Sequence, residues 1–292
     1  MFWNVRGVSK APTVRRLKKL IQIHKIQFLA ICESCLEVGR AERYRCRLKF
    51  HSLLHNSMGT IWFFFQENFS GSIIGESPQH VSIRLSHDHI PGSRVVVSFV
   101  HARCTADERI ELWADVLRDN PGPDAWLVGG DFTVILEADE KRGEWPFTSA
   151  EAMDFGHFIG EANLTDVGFV GAQFTWCNNR HGEAQILKWL DRVSVNEGCY
   201  DAGISLSVSH LAREPSDHAP LPISVSTRVD NKPRPFRFLN VWAERDDFLN
   251  VVRKSWGQLC LESSPMHTLC LKLKRLKGAN RAWNKEVVGD IF

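Results

Sequence analysis

The sequence predicts an α/β chain of the α+β type, a mixed β-sheet region layered with helices and followed by a helical C-terminal tail. Three observations carry that expectation. Apolar runs of strand length alternate with helical patterns through residues 1–228. Several of these runs are separated only by short turns, which points to a mixed sheet rather than a wound parallel one. After Asn231 the texture changes to segments rich in Trp, Leu, Lys and Arg. The domain reading is therefore a body at 1–228 and a basic helical connector at 229–292.

Only Met1 to Trp3 precede Asn4, too little for a full first strand. Pro12 and Thr13 open a helix with Val14, Leu17, Leu20 and Ile21 on one face and Arg15, Arg16, Lys18 and Lys19 on the other. Phe28 to Cys32 is a short buried strand that delivers Glu33. Leu53-Leu54, Gly59 to Phe65, Val81 to Leu85 and Val95 to Ala102 read as successive strands between turn residues. Thr105 to Arg118 is helical, and Ala125 to Val128 is a strand ending at Gly129-Gly130-Asp131. Ser149 to Ala162 is helical, whereas Phe174 to Cys177, Leu187 to Val195, Leu206 to His210 and Leu221 to Val225 complete the strands. Lys232-Pro-Arg-Pro235 reads as a linker. Beyond it Trp242, Phe248, Val251, Val252 and Trp256 mark one amphipathic segment, and Leu269, Leu271, Leu273, Leu276 and Trp283 a second, basic one. The stop at Gly289-Asp-Ile-Phe292, without a capping motif, leads to the expectation of a longer parent protein.

With 292 residues, 43% hydrophobic and 24% charged, the composition is that of an ordinary globular chain. No apolar stretch approaches the ~20 residues of a spanning helix, and the first residues do not read as a signal peptide. Eight cysteines show no disulfide-scaffold density and read as reduced thiols of an intracellular protein. Cys32-Glu-Ser-Cys35 with Cys46 is a conceivable zinc set, but no second CxxC or His pair follows at suitable spacing. Residues 231–292 carry 12 Lys/Arg against 6 Asp/Glu, while residues 1–230 carry 24 against 28. A mildly acidic body with a basic tail fits a metal-centred domain beside a segment able to meet nucleic acid, or simply a solvated helical tail.

The chemistry sits at strand ends. Asn4, Glu33, Asp131 and Asp191 lie at or just past apolar runs, and Ser216-Asp217-His218 adds a carboxylate beside an imidazole. Phosphodiester hydrolysis calls for such a set: a cation on the phosphoryl oxygens, an oriented water and help for the leaving oxygen. Glu33 and Asp217 are hard oxygen ligands suited to Mg²⁺. His218 could donate to phosphate or act as base, with a carboxylate such as Asp191 fixing its tautomer. Asp131 could handle the water or the leaving group.

The ordered set resembles the endonuclease/exonuclease/phosphatase superfamily, and more closely the endonuclease domain of plant LINE-type (non-LTR) retrotransposons. The residues that carry it are Trp3-Asn-Val-Arg-Gly7, Leu29-Ala-Ile-Cys-Glu33, Ser98 to Ala102, Arg109 to Trp113 and Leu127-Val-Gly-Gly-Asp-Phe132. They continue with Leu164-Thr-Asp166, Phe174 to Asn178, Leu190-Asp-Arg192 and Ser216-Asp-His218. Arg234-Pro-Phe-Arg-Phe238 and Leu276 through Lys285 resemble the connector before a reverse transcriptase, which is absent here. The resemblance implies a four-layered α/β sandwich with two packed mixed sheets flanked by helices, Mg²⁺ as cofactor, DNA as partner and a nuclear location. It indicates neither a membrane nor an obligate protein partner.

By the same resemblance Asn4 and Glu33 lie in the metal site with Asp217 beside it. His218 faces the scissile phosphate with Asp191 behind, and Asp131 sits near the attacking water. Which of Asp131 and His218 takes the water proton stays open. Two residues depart from the family pattern: Thr133 stands where an asparagine is expected and His101 where a tyrosine is usual. With the short first strand they predict weakened or lost activity, on the order of 10²–10³ in rate if the Asn donor is gone. The alternatives are a catalytically dead nucleic-acid-binding remnant and a phosphatase for a small phosphoester. The loop Asn178-Asn179-Arg180-His181 reads as a polar loop between strands that in this family could touch DNA, Trp145-Pro146 reads as a surface loop that could lie on the substrate side, and Trp176 and Trp189 are the tryptophans to check for exposure.

Overall fold

The computed structural model describes residues 1–87, 95–143, 145–227, 242, 245–258 and 265–287. The expected linker 232–235, the motif 234–238 and the terminal residues 289–292 lie outside them. The chain divides into two units, Met1–Asp230 and Asn231–Phe292.

In the first unit, strand β1 (Phe2–Asn4) runs parallel to β2 (Phe28–Cys32), which pairs antiparallel with β4 (Ile61–Phe65), and β4 with β3 (Ser52–His55). A six-stranded sheet has the order β10-β14-β8-β7-β6-β5, made of β10 (Thr165–Asp166), β14 (Asp191–Val195), β8 (Trp126–Asp131), β7 (Val95–His101), β6 (His80–Ser86) and β5 (Ser70–Ser77). The β7–β8 pair is parallel and the rest antiparallel, so the sheet is mixed. Two small sheets, β11 (Val170–Gly171)-β15 (Ile204–His210)-β16 (Ile223–Thr227) and β12 (Trp176–Cys177)-β13 (Leu187–Lys188)-β9 (Lys141–Arg142), complete the unit. Phe2 exchanges backbone hydrogen bonds with Leu221 at 3.0 and 2.8 Å, which stitches β1 to the segment entering β16.

The layering follows from side-chain alternation along each strand. In the first sheet Phe2, Ala30, Cys32, Ile61 and Phe63 face the second sheet, where Val81, Ile83, Val97, Phe99, Leu127 and Val193 meet them in one apolar cluster. The alternate residues Trp3, Leu29, Ile31, Trp62 and Phe64 face outward onto α1 (Ala11–Ile23) and α2 (Ala41–Leu48), through Val14, Leu17, Leu20, Tyr44 and Leu48. On the far side of the second sheet Val96, Val100, Trp126 and Val128 pack against Leu112, Trp113 and Val116 of α3 (Ala106–Arg118) and Phe155 and Phe158 of α4 (Met153–Glu161). Helix, sheet, sheet, helix: the four layers are those the sequence implied.

Several boundaries differ from the expectations. The first strand forms despite its length: its three residues are all buried, and its ladder to β2 is anchored by Leu221 on the other side. The expected strand 187–195 is two elements in different sheets. Between them Thr175 Oγ1 accepts from the backbone N–H groups of Leu190 and Asp191, both at 3.0 Å, replacing ladder bonds where the chain changes sheet. A short helix α5 (Glu197–Asp201) follows β14, with Asn196 capping it through Cys199 N–H.

The second unit contains α6 (Asp246–Trp256) and α7 (Pro265–Val287). Trp242, Phe248 and Trp283 make its core, with Val251 and Val252 against them. Trp283 Nε1 donates to Asp247 at 3.2 Å and Trp242 Nε1 to Asn284 at 2.9 Å, so both indoles are satisfied as they are buried.

Candidate active site

Register alone assembles much of the site. In the parallel β1–β2 ladder Asn4 lies opposite Cys32, the residue before Glu33, so both polar groups emerge at the same sheet end. In the second sheet His101, Asp131 and Asp191 lie in one row, because His101 registers with Asp131 across β7–β8 and Asp131 with Asp191 across β8–β14. Gly129 and Gly130 let these groups come close. A Cβ on Gly129 would stand 2.2 Å from the Phe2 ring, and one on Gly130, at φ +139°, 2.0 Å from the Val100 carbonyl oxygen. Only glycine permits β1 and β7 to approach β8 so tightly just before Asp131. Ser216-Asp217-His218 is then tied down: Ser216 Oγ donates to Asn4 O at 2.8 Å, Trp3 Nε1 to His218 O at 2.9 Å, and Ala219 N to Thr175 O at 2.7 Å.

The result is a continuous polar network. Asn4, 1% exposed, donates from Nδ2 to Glu33 Oε1 at 2.9 Å and Asp131 Oδ2 at 3.0 Å, bridging the two sheets. His101 Nε2 also meets Glu33 Oε1 at 3.0 Å. His218 Nδ1 lies 3.0 and 3.2 Å from the two Asp191 oxygens, while its Nε2 is 3.6 Å from Asp131 Oδ2. Asp217 accepts from Trp176 Nε1 at 3.1 Å. All seven expected carboxylate, imidazole and amide residues, Asn4, Glu33, His101, Asp131, Asp191, Asp217 and His218, thus converge.

The electrostatics follow from that packing. Burial works against the His218 imidazolium, but the charges of Asp191 and Asp131 outweigh it and push the group up to about 9. Burial also raises the Asp191 carboxyl, with Asp131 adding to it and His218 opposing. The proton of this pair belongs on His218, which faces two carboxylates. Burial would push Glu33 up as well, yet hydrogen bonds from His101 and Asn4 and the charges of His101 and Arg6 hold it at about 2.

Arg6 is the member that the sequence reading quoted in a motif without giving it a role. Its Nε donates to Asp217 Oδ1 at 3.0 Å, its Nη2 to Asp217 Oδ2 at 3.1 Å and its Nη1 to Glu33 Oε2 at 3.1 Å. Its place two residues after Asn4 and just before Gly7, whose φ of +102° marks a sharp exit from β1, is local, but its pairing with Asp217 spans 211 positions and has no sequence signal. Three residues at strand exits, Arg6 (φ 47°), Glu33 (φ 52°) and Thr133 (φ 54°), adopt left-handed backbone, which is costly outside glycine and concentrates at functional sites. Thr133 contributes its N–H to Asp131 Oδ1 at 3.1 Å, but its hydroxyl donates to Arg103 O at 2.8 Å, away from the carboxylates.

Two groups of side chains meet the geometry for a metal ion, Glu33–His101–Asp131 and Asp131–Asp191–His218. Glu33, Asp131 and Asp217 supply hard oxygens, and a guanidinium already lies between Glu33 and Asp217, so the donor set fits a small divalent cation. Among the described residues neither group includes a cysteine; Cys32 is buried and Cys35 and Cys46 are exposed. Trp176 is half-buried against Asp217, and Trp189 is held by its own Nε1 bond to Asp191 O at 2.9 Å beneath the Arg192 guanidinium. Trp145 is 83% exposed. Asn178 closes its loop by accepting from Arg180 N and Ile186 N. Among the described residues no helix is long and apolar enough to cross a membrane.

No family model and no curated protein matches the chain. Solved structures do. The 3′ phosphatase NExo from Neisseria, bound to a product DNA hairpin, is 16% identical, covering 77% of this chain and 98% of that one with a TM-score of 0.58. The endonuclease domain of TRAS1, a telomere-specific non-LTR retrotransposon, is 14% identical over 79% and 98%, TM-score 0.54. An endonuclease/exonuclease/phosphatase from Bacteroides vulgatus is 12% identical over 78% and 97%, TM-score 0.53. At these identities the likeness establishes architecture: this chain has the endonuclease/exonuclease/phosphatase, or DNase-I-like, fold.

Proposed function

We propose that the chain is a Mg²⁺-dependent phosphodiester hydrolase that nicks DNA, the endonuclease domain of a LINE-type element of the plant kind. The observation that carries this reading is the single network of hydrogen bonds and ion pairs linking Asn4, Glu33, His101, Asp131, Asp191 and His218, and through Arg6 Asp217, at one end of two packed sheets. Glu33 and Asp217, with Asn4 beside them, would hold the metal, which supplies positive charge to the phosphoryl oxygens and acidifies bound water. His218, protonated at neutral pH with Asp191 behind it, donates a charge-assisted hydrogen bond to the phosphate oxygen that gains charge. That leaves Asp131 to accept the water proton, since its carboxylate is oriented by Asn4 and by the Thr133 N–H. His101 orients Glu33 through Oε1.

Turnover is weakened in this reading, because the Thr133 hydroxyl is spent on Arg103 and offers no donor to the substrate. Residues 229–292 serve as a basic connector toward a downstream part of the element, and the nucleus is the working compartment. A plasmid assay tests the proposal: supercoiled DNA should convert slowly to open circles with Mg²⁺ and not with EDTA, and His218→Ala and Asp131→Asn should abolish conversion. Hydrolysis of small phosphoesters in preference to DNA, or no Mg²⁺-dependent nicking at any protein concentration, would refute it.

A further inference from the structure

We propose that Arg6 is an exchangeable counter-ion, holding Glu33 and Asp217 together in the metal-free protein and giving up its place to the divalent cation. The inference rests on the metal assignment above and adds a residue that competes with it.

The contrast with the two buried arginine ion pairs of the fold carries the argument. Arg109 and Arg192 pair with Asp154 and Glu140, and their side chains are only 7% and 2% exposed, as structural ion pairs within a packed layer are. Arg6 pairs with two carboxylates that are 23% and 15% exposed, yet its own side chain is 48% exposed. It caps the carboxylates from the solvent side and can leave without opening the core.

The network is also arranged so that its departure disturbs little. Glu33 is held through Oε1 by Asn4 and His101, while Oε2 takes its hydrogen bond from Arg6. Asp217 keeps its bond from Trp176 Nε1 when Arg6 goes. Losing the guanidinium therefore exposes two oriented carboxylate oxygens, a preorganised pair for a hard cation. The positive charge that arrives replaces the one that leaves, so neither state carries two facing uncompensated carboxylates. A cation must still displace ion pairs of the exposed class, together worth about 1.4 kcal/mol over the two carboxylates, which weakens its binding about tenfold.

Mn²⁺ titration followed by loss of the free-ion EPR signal measures this directly, with wild type, Arg6→Ala, Arg6→Gln and Glu33→Gln compared and their folding checked by circular dichroism. Both Arg6 variants should bind Mn²⁺ about tenfold more tightly than wild type, and the metal-induced rise in Tm should be larger in them. Arg6→Gln guards against loss of folding in Arg6→Ala, since it keeps the first part of the aliphatic stem and a neutral donor. If both Arg6 variants bind no more tightly than wild type while Glu33→Gln loses the ion, the counter-ion role is wrong and the metal centre stands. If Glu33→Gln binds as well as wild type, or no protein binds, the metal assignment fails and this inference with it.

Discussion

Thr133 offers the sharpest test of how the site was assembled. Its backbone is left-handed at φ 54°, a conformation in which a β-branched residue costs roughly 1–2 kcal/mol and in which asparagine is far more at ease. Replacing it by Asn relieves that strain and forfeits one hydroxyl bond to Arg103 O, worth about 0.5–1 kcal/mol at a partly exposed position. The balance is a gain of about 0.5–1 kcal/mol, or roughly 1–4 °C in Tm for a unit of this size. The Asn side chain also restores a donor at the strand end beside Asp131, which should raise nicking by about 10²-fold. Thr133→Gly is the control: it removes the steric penalty but adds freedom to the unfolded chain and brings no donor. Differential scanning calorimetry and the plasmid assay read the two effects separately. If Thr133→Asn cleaves no faster than Thr133→Gly, the missing amide is not what limits this site.

Asp191→Asn should cut nicking by about 10²–10⁴, because an amide still contacts the imidazole but no longer favours its charged form; an NMR titration should show the His218 pKa falling from about 9 in the same variant. His218 also links stability to pH. Its folded value lies above its ordinary 6.5, so protonation favours the folded state; the contribution is full below pH 6.5 and is lost as pH rises through about 9. Unfolding free energies from urea titrations should fall over that interval by on the order of 1–3 kcal/mol more in wild type than in His218→Gln. Gly130→Ala drives a Cβ to 2.0 Å from a backbone carbonyl at φ +139° and should destabilise the first unit by more than about 2 kcal/mol, seen as a lowered urea midpoint or loss of soluble protein.

What was legible in the sequence, and what was not, has a physical cause in each case. Strong apolar runs such as Ile61–Phe65 and Phe28–Cys32 announce themselves because both faces are buried between layers. The edge strand β5, Ser70–Ser77, reads as turn because its serines and glycines carry no strand preference; pairing with β6 holds it. Helix α2 buries only Ala41, Tyr44 and Leu48, and three interleaved arginines and a glutamate hide that stripe. Asn4, Glu33, His101 and Asp131 were legible for the reason the core strands were, each at or just past the end of a recognisable run, whereas Asp191 opens β14 and Asp217-His218 stood out as an acid beside an imidazole. Their partners were not. Arg6, Thr175 and Trp176 act across 211, 16 and 41 positions of sequence respectively, and no local pattern encodes such pairings.

The same comparison explains why the departures at His101 and Thr133 weigh differently. His101 keeps a polar contact that the site uses: its Nε2 reaches Glu33 at 3.0 Å, sharing Oε1 with Asn4, so a change of residue type leaves the carboxylate oriented. Thr133 keeps the backbone contact to Asp131 and loses the side-chain one, since its hydroxyl turns to Arg103. A position that serves through its N–H tolerates any residue able to pay the left-handed backbone, whereas one that must present a side-chain donor does not. Geometry is therefore retained at this strand end while a chemical group is missing from it. On the proposed function, that separation makes Thr133, rather than the carboxylates, the residue on which the rate would turn.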